Sequence, residues 1–229
     1  MTALIVLPGL DGTATLHSGF SNAASHLFDP VTVIPYPSQQ PLGYSELEVL
    51  VRAALPPVAP YLLLGESFSG PIALSIAANP PPNLVGVVLS TSFGNSPFWA
   101  LSPFAVLSRF APVRSVPHSL LSWLLLGRWA TPELEASLQS ALRSVSPTVL
   151  QSRAATALRA KLPSFVTISV PVLYLRATQD RLLSPSAGEH LVSSIPQCTL
   201  TDIAGPHLLL QVAPQACASV IGEFGRRLG

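Results

Sequence analysis

Apolar residues arrive along this chain in short runs broken by turn residues. Ala3 to Leu7 is one such run, stopped by Pro8-Gly9, and Val31-Thr32-Val33-Ile34-Pro35-Tyr36 is the next. Tyr61 to Leu64, Leu84 to Ser90, Pro171 to Ala177 and Cys198 to Ile203 repeat the pattern. Short apolar runs bounded by Pro and Gly fit strands buried on both faces, so six parallel strands are expected. Between them the period changes to that of helices. Ser45 and Glu48 read as a capping box, with Leu47, Leu50, Val51 and Ala54 on one apolar face. Pro71 to Ala78 reads as a compact helix of small residues. Ser184-Pro185 opens another that runs to about Ile195, and a last helix runs from about Pro214 to Arg227. Strands alternating with helices predict a parallel sheet covered on both faces, and right-handed crossovers make it a doubly wound α/β sheet.

Residues 93–169 interrupt this alternation. Thr131-Pro132 and Ser146-Pro147 each open a helix, and Leu134, Leu138, Ala141 and Leu142 form an apolar stripe. The expected organisation is therefore a core of residues 1–92 and 170–229 with an all-helical insertion at 93–169. The insertion holds eight of the twelve Phe and Trp side chains: Phe93, Phe98, Trp99, Phe104, Phe110, Trp123, Trp129 and Phe165. About half should form its own small core, and the rest should line a pocket. It also holds Arg109, Arg114, Arg128, Arg143, Arg153, Arg159 and Lys161 against Glu133 and Glu135, which makes it +5 while the remainder is −4.

Composition narrows the class. A chain of 229 residues fits one medium-sized domain with room for one inserted subdomain. With 48% apolar and 10% charged residues and a mean hydropathy of +0.48, disorder is excluded. No apolar run approaches the roughly 18 residues of a membrane span. Met1 to Gly9 has no basic leader and reads as an opening strand rather than a signal peptide. Cys198 and Cys217 lack metal spacing; a disulfide is one reading, and two buried free thiols in a soluble cytoplasmic protein is the one expected. A net charge of +1 without a basic run interleaved with aromatics argues against nucleic acid as a partner. Nothing in the pattern sets an oligomeric state.

Candidate chemistry begins at Leu62-Leu63-Leu64-Gly65-Glu66-Ser67-Phe68-Ser69-Gly70, an apolar strand leading through small residues into a helix. This is the outline of a nucleophile elbow, usually spelled G-x-S-x-G. Gly65 and Ser67 fit; the fifth position is Ser69, with Gly70 one place later. A serine hydroxyl needs a base within hydrogen-bond reach and an acid to orient that base. Of the five histidines, His190 and His118 lie within helical patterns, and His17 and His26 lie near the N-terminus. His207, in Gly205-Pro206-His207, follows the sixth strand directly. Asp180 follows the fifth strand in Thr178-Gln179-Asp180-Arg181, whereas its competitor Asp202 lies within the sixth strand. The oxyanion of a tetrahedral intermediate would be met by the Phe68 N–H and by the Leu10 N–H from the loop after the first strand.

LPGLDG after a first strand, LLLGESFSG, RATQDRLL and GPHLLLQ together resemble the α/β-hydrolase superfamily of serine esterases over nearly the whole chain outside the insertion. The order Ser67, Asp180, His207 is the one that superfamily uses. The resemblance implies a parallel sheet with a helical cap, Ser67 as nucleophile, Asp180 as acid, His207 as base, and Leu10 and Phe68 as oxyanion donors. It implies no metal and no cofactor. The chain departs from the pattern at Ser69, expected to crowd the elbow, and in lacking the N-terminal antiparallel edge strands. The expected activity is hydrolysis of carboxylic esters with hydrophobic, short-to-medium acyl groups through an acyl-enzyme. A second reading is a thioesterase or carboxylesterase working on acyl groups held by an acidic carrier protein, drawn to the +5 insertion. A third is a hydrolase-fold binding module without catalysis.

Overall fold

The computed structural model describes residues 2–96, 116–161 and 167–228. Six strands form one sheet: β1 (Ala3–Leu7), β2 (Val31–Val33), β3 (Tyr61–Glu66), β4 (Leu84–Ser90), β5 (Val172–Ala177) and β6 (Cys198–Ile203). Their order is β2-β1-β3-β4-β5-β6, and each neighbouring pair is parallel. The chain steps outward from β1 to β2 and then returns to the other side of β1 as β3. That reversal opens a crevice beyond the carboxyl ends of β1 and β3, where such sheets bind ligands.

Alternation along the strands sends successive side chains to opposite faces. Ile5, Leu63, Leu89 and Tyr174 pack on one face with Leu47, Val51 and Ile72, carried by α2 (Tyr44–Ala54) and α3 (Gly70–Ala78). Val6, Leu64, Val88 and Leu175 pack on the other with Phe20 of α1 (Ser18–Ala24) and Ile221 and Phe224 of the C-terminal helix Pro214–Arg226. Two-sided burial explains why these strands read as unbroken apolar runs.

Between β4 and β5 the described residues form α4 (His118–Leu125), α5 (Pro132–Arg143) and α6 (Pro147–Ala157). Thr131 and Ser146 cap α5 and α6 as expected, each accepting an N–H at 3.3 Å from Leu134 and Val149. A separate apolar cluster of Leu126, Leu138 and Ala141 with Leu16 and Leu208 joins these helices to loops of the core. After β5 come α7 (Pro185–Ser194), then α8 (Leu209–Val212) and α9 (Pro214–Arg226) beyond β6.

Three local expectations are corrected. The α2 cap is Gly43, whose N–H donates to Glu46 at 2.8 Å; Ser45 already lies inside the helix, and Glu48 pairs with Arg52 at 2.8 Å instead. β2 ends at Val33, because after Ile34 donates to Val6 the next inward N–H, that of Tyr36, donates to the Gly12 carbonyl at 2.8 Å in the loop beyond β1. The short helices α1 and α8, absent from the periodic pattern, each bury only two side chains. Cys198 and Cys217 are free and buried, and burial pushes their thiols up to about 11 and about 12. Among the described residues no helix is long and apolar enough to cross a membrane.

Candidate active site

The elbow is built where β3 must turn sharply into α3. Ser67 has φ +46°, a left-handed conformation that ordinary side chains avoid and that points its hydroxyl away from the sheet. The turn is held from the next strand: the Ser92 hydroxyl donates to the Ser67 carbonyl at 2.5 Å, and the Tyr174 hydroxyl donates to the Ser92 carbonyl at 2.8 Å. Gly70 is the residue that lets the segment after β4 approach so closely, since a Cβ there would overlap the Ser92 hydroxyl and lie 2.9 Å from the Phe93 carbonyl oxygen. Gly70→Ala should therefore cost about 1–3 kcal/mol, read as a lowered urea midpoint. An unchanged midpoint would remove this account of the elbow.

Ser69 does not crowd the turn. Its side chain is fully buried, its hydroxyl donates to the Pro8 carbonyl and meets the Tyr36 hydroxyl at 2.6 Å. The fifth position of the motif thus ties the elbow to the loop after β1.

Three strand ends bring Ser67, His207 and Asp180 together. Ser67 Oγ lies 2.8 Å from His207 Nε2, and His207 Nδ1 lies 2.8 Å from Asp180 Oδ2. A carboxylate only accepts, so Nδ1 carries the proton and Nε2 is left to accept from Ser67. Asp180 is itself fixed, because its Oδ1 accepts the Leu182 and Leu183 N–H groups at 2.8 and 2.9 Å. His207 is 2% exposed, so this chain of groups is shielded from water. Of the other candidates, His118 on α4 borders the cavity into which Ser67 and His207 face, His17 lies behind the elbow, and three lie elsewhere. Asp202 pairs with Arg176 at 2.6 Å, His190 meets Asn95 at 3.2 Å, and His26 is exposed.

Leu10 and Phe68 border the same cavity as Ser67 and His207. Phe68 sits in the first turn after β3, where N–H groups have no partner within the helix. Its ring is buried against Tyr44, with centroids 4.8 Å apart. Among the described residues no three His, Cys, Asp or Glu side chains gather as a metal ion would require.

Beside the elbow lies a pairing that no sequence pattern announced. His17 Nε2 meets Glu66 Oε2 at 2.9 Å, both side chains buried, and Gln211 donates to Glu66 Oε1 at 2.9 Å. Burial works against charge on Glu66, but the His17 charge and the hydrogen bonds from His17 and Gln211 hold its carboxyl below the usual range. Burial likewise opposes charge on His17, yet Glu66, with help from Asp11, holds its imidazole above the usual value. Asp11, desolvated by burial, is pushed up.

The cavity encloses about 670 Å³ between the carboxyl edge of the sheet and helices α4 to α6. Its described walls are mainly leucine, from Leu121 and Leu124 on α4, Leu138 and Leu142 on α5, and Leu150 on α6. Of the eight aromatics expected to divide between core and pocket, Phe93 lines the cavity. Trp123 is 54% exposed under Arg181, and Trp129 lies under Arg128 at 4.4 Å. Phe98, Trp99, Phe104, Phe110 and Phe165, like Arg109 and Arg114, lie outside the described residues. Arg153, one of the basic residues behind the insertion's +5, is 1% exposed.

No family model matches the sequence, and no curated protein does. Solved structures do match. The enol-lactonase of Burkholderia xenovorans LB400 superposes with a TM-score of 0.82 at 18% identity, over 99% of this chain and 92% of that one. A thermophilic esterase from Thermogutta terrifontis gives 0.81 at 16%, over 100% and 90%. An alpha/beta hydrolase enzyme from a Medee basin deep-sea metagenome library gives 0.76 at 16%, over 98% and 89%. Strand order, the elbow after β3 and these superpositions over the whole length agree: the chain has the α/β-hydrolase fold.

Proposed function

We propose that this protein is a serine hydrolase that cleaves carboxylic esters of aliphatic acids through an acyl-enzyme. The observation that carries the reading is the unbroken Ser67–His207–Asp180 hydrogen-bonded chain opening into a leucine-walled cavity. His207 Nε2 takes the Ser67 proton as Oγ bonds to the ester carbonyl carbon. The carbonyl oxygen becomes an oxyanion held by the Phe68 and Leu10 N–H groups, each worth about 3 kcal/mol in the transition state. Collapse of the intermediate breaks the bond to the alkoxy oxygen, which leaves as alcohol with the proton from His207. Water, deprotonated by His207, then attacks the acyl-enzyme; the acid departs and Ser67 regains its proton. Helices α4 to α6 serve as a cap that shields the acyl chain, and enzymes with enol-lactonase and esterase names share the scaffold.

Leucine walls suit a flexible alkyl chain, and each CH₂ taken from water contributes about 0.8 kcal/mol, close to a fourfold gain in kcat/KM. Along p-nitrophenyl acetate, butyrate, hexanoate and octanoate each step adds two CH₂ groups, so kcat/KM should rise by up to about 15-fold per step. A fluorophosphonate probe should label Ser67 in the intact protein and not in His207→Ala. Labelling that survives that substitution, or none in the intact chain, would defeat the serine-hydrolase reading and leave a binding module.

A further inference from the structure

The loop after β1, residues 8–13, carries the Leu10 N–H and is held partly by its own hydrogen bonds and partly from outside. Gly12 N–H donates to the Gly9 carbonyl at 3.0 Å, and Thr13 N–H to Asp11 Oδ2 at 2.9 Å. The Thr13 hydroxyl also donates to Asp11 Oδ2 at 2.5 Å, and the Tyr36 N–H donates to the Gly12 carbonyl at 2.8 Å; further restraints from outside bracket Leu10 on both sides. Before it, the Ser69 hydroxyl, held by Tyr36, donates to the Pro8 carbonyl. After it, Arg153 of α6 donates through Nη1 to the Leu10 and Asp11 carbonyls at 3.1 and 2.6 Å, and through Nη2 to the Pro37 carbonyl at 3.0 Å.

Arginine is almost never fully buried without a paired anion, and here the guanidinium makes no ion pair among the described residues. It faces three backbone carbonyls and stands 5.5 Å from the centre of the Tyr36 ring. The loop is shaped around it. Gly12 has φ +69°, and a Cβ at that residue would lie 2.8 Å from the guanidinium carbon. Pinning the carbonyls of residues 10 and 11 fixes the two peptide planes that follow the Leu10 N–H, and the Ser69 bond fixes the plane at Pro8.

We propose that Arg153 is the positioning residue of the oxyanion hole, coupling the aim of the Leu10 N–H to helix α6. The inference rests on the esterase reading above. On the cavity side, α6 presents Leu150, Ala154 and Ala157 to whatever fills it. An acyl chain seated on those side chains bears on the same helix that holds the loop, so chain length acts on kcat as well as on KM.

The test compares Arg153→Met and Arg153→Lys with the unaltered protein on the acetate-to-octanoate series, with thermal unfolding and amide hydrogen exchange of the 8–13 segment. With the octanoate, kcat should fall about 100-fold in Arg153→Met while KM moves less than about threefold, as when one oxyanion donor is lost. The rise of kcat with chain length should flatten, and exchange in residues 8–13 should quicken at least about tenfold while β3 stays protected. Lysine, which keeps the charge and loses the fork, should restore little of either. A raised KM with intact kcat, or exchange that stays unchanged, overturns the proposal. Should the methionine variant not fold, the lysine variant decides by the same readouts. If the unaltered chain neither turns over esters nor labels at Ser67, the esterase reading fails, and unchanged or quickened exchange still decides whether Arg153 holds the loop.

Discussion

Ser67→Ala is expected to lower kcat for p-nitrophenyl esters by roughly 10⁵- to 10⁶-fold, with the fold and the thermal midpoint kept. The residual rate would come from binding and the two N–H donors alone. Asp180→Asn should cost about 10⁴-fold, for a reason visible in the hydrogen bonds. An asparagine here keeps its oxygen on the Leu182 and Leu183 N–H groups, where Oδ1 already accepts. Its NH₂ is then turned toward His207 Nδ1 and donates to it. The ring proton moves to Nε2, which faces Ser67 at 2.8 Å and loses the lone pair needed to take the hydroxyl proton. Steady-state kcat on one ester, beside circular dichroism of each variant, checks both. An Asp180→Asn protein within about tenfold of the parent would show that the acid does not set the tautomer, and hydrolysis retained by Ser67→Ala would remove Ser67 as nucleophile.

The expected nucleophile, base and acid meet in space because each stands at a strand end marked in the chain by Pro, Gly or a break in the apolar run. Such positions are local, and a parallel sheet gathers its carboxyl ends along one edge whatever the loops do. What was not legible depends on pairing across distance. His17 and Glu66 are 49 residues apart, and neither has a neighbour in sequence that signals the other. Arg153 enters the sequence reading as one of the insertion's seven basic residues, although it lies four residues after Val149 and three after Leu150, both buried, so helical spacing places it on the inward face of α6. The Gly43 cap was overlooked because a glycine has no side chain to advertise it, while Ser45 and Glu48 imitated the usual spacing.

The His17–Glu66 pair carries the largest expected effect on stability. Removing one partner of a buried pair strands the other charge, and Glu66→Ala should lower the unfolding free energy by about 3–5 kcal/mol. Its pH dependence separates this from simple loss of packing. Folded His17 holds its proton more tightly than the unfolded value of 6.5, so its contribution is complete below that pH and is lost as the pH rises through the raised folded value. Folded Glu66 lies below its ordinary 4.5, so its contribution is complete above that pH and is lost as the pH falls through the lowered value. The pair therefore stabilises most between pH 4.5 and 6.5, and the parent protein should weaken as the pH is raised beyond that window. Asp11 and His207 face the same pair and remain in both proteins. Without Glu66, burial becomes the dominant influence on His17 and drives its imidazole below 6.5, so stability should rise with pH across that value. Urea unfolding of both proteins at about pH 5.5 and about pH 8 measures the sign. Stability that rises with pH in the parent as well would show that His17 is not charged in the folded protein, and the pair would reduce to a neutral hydrogen bond.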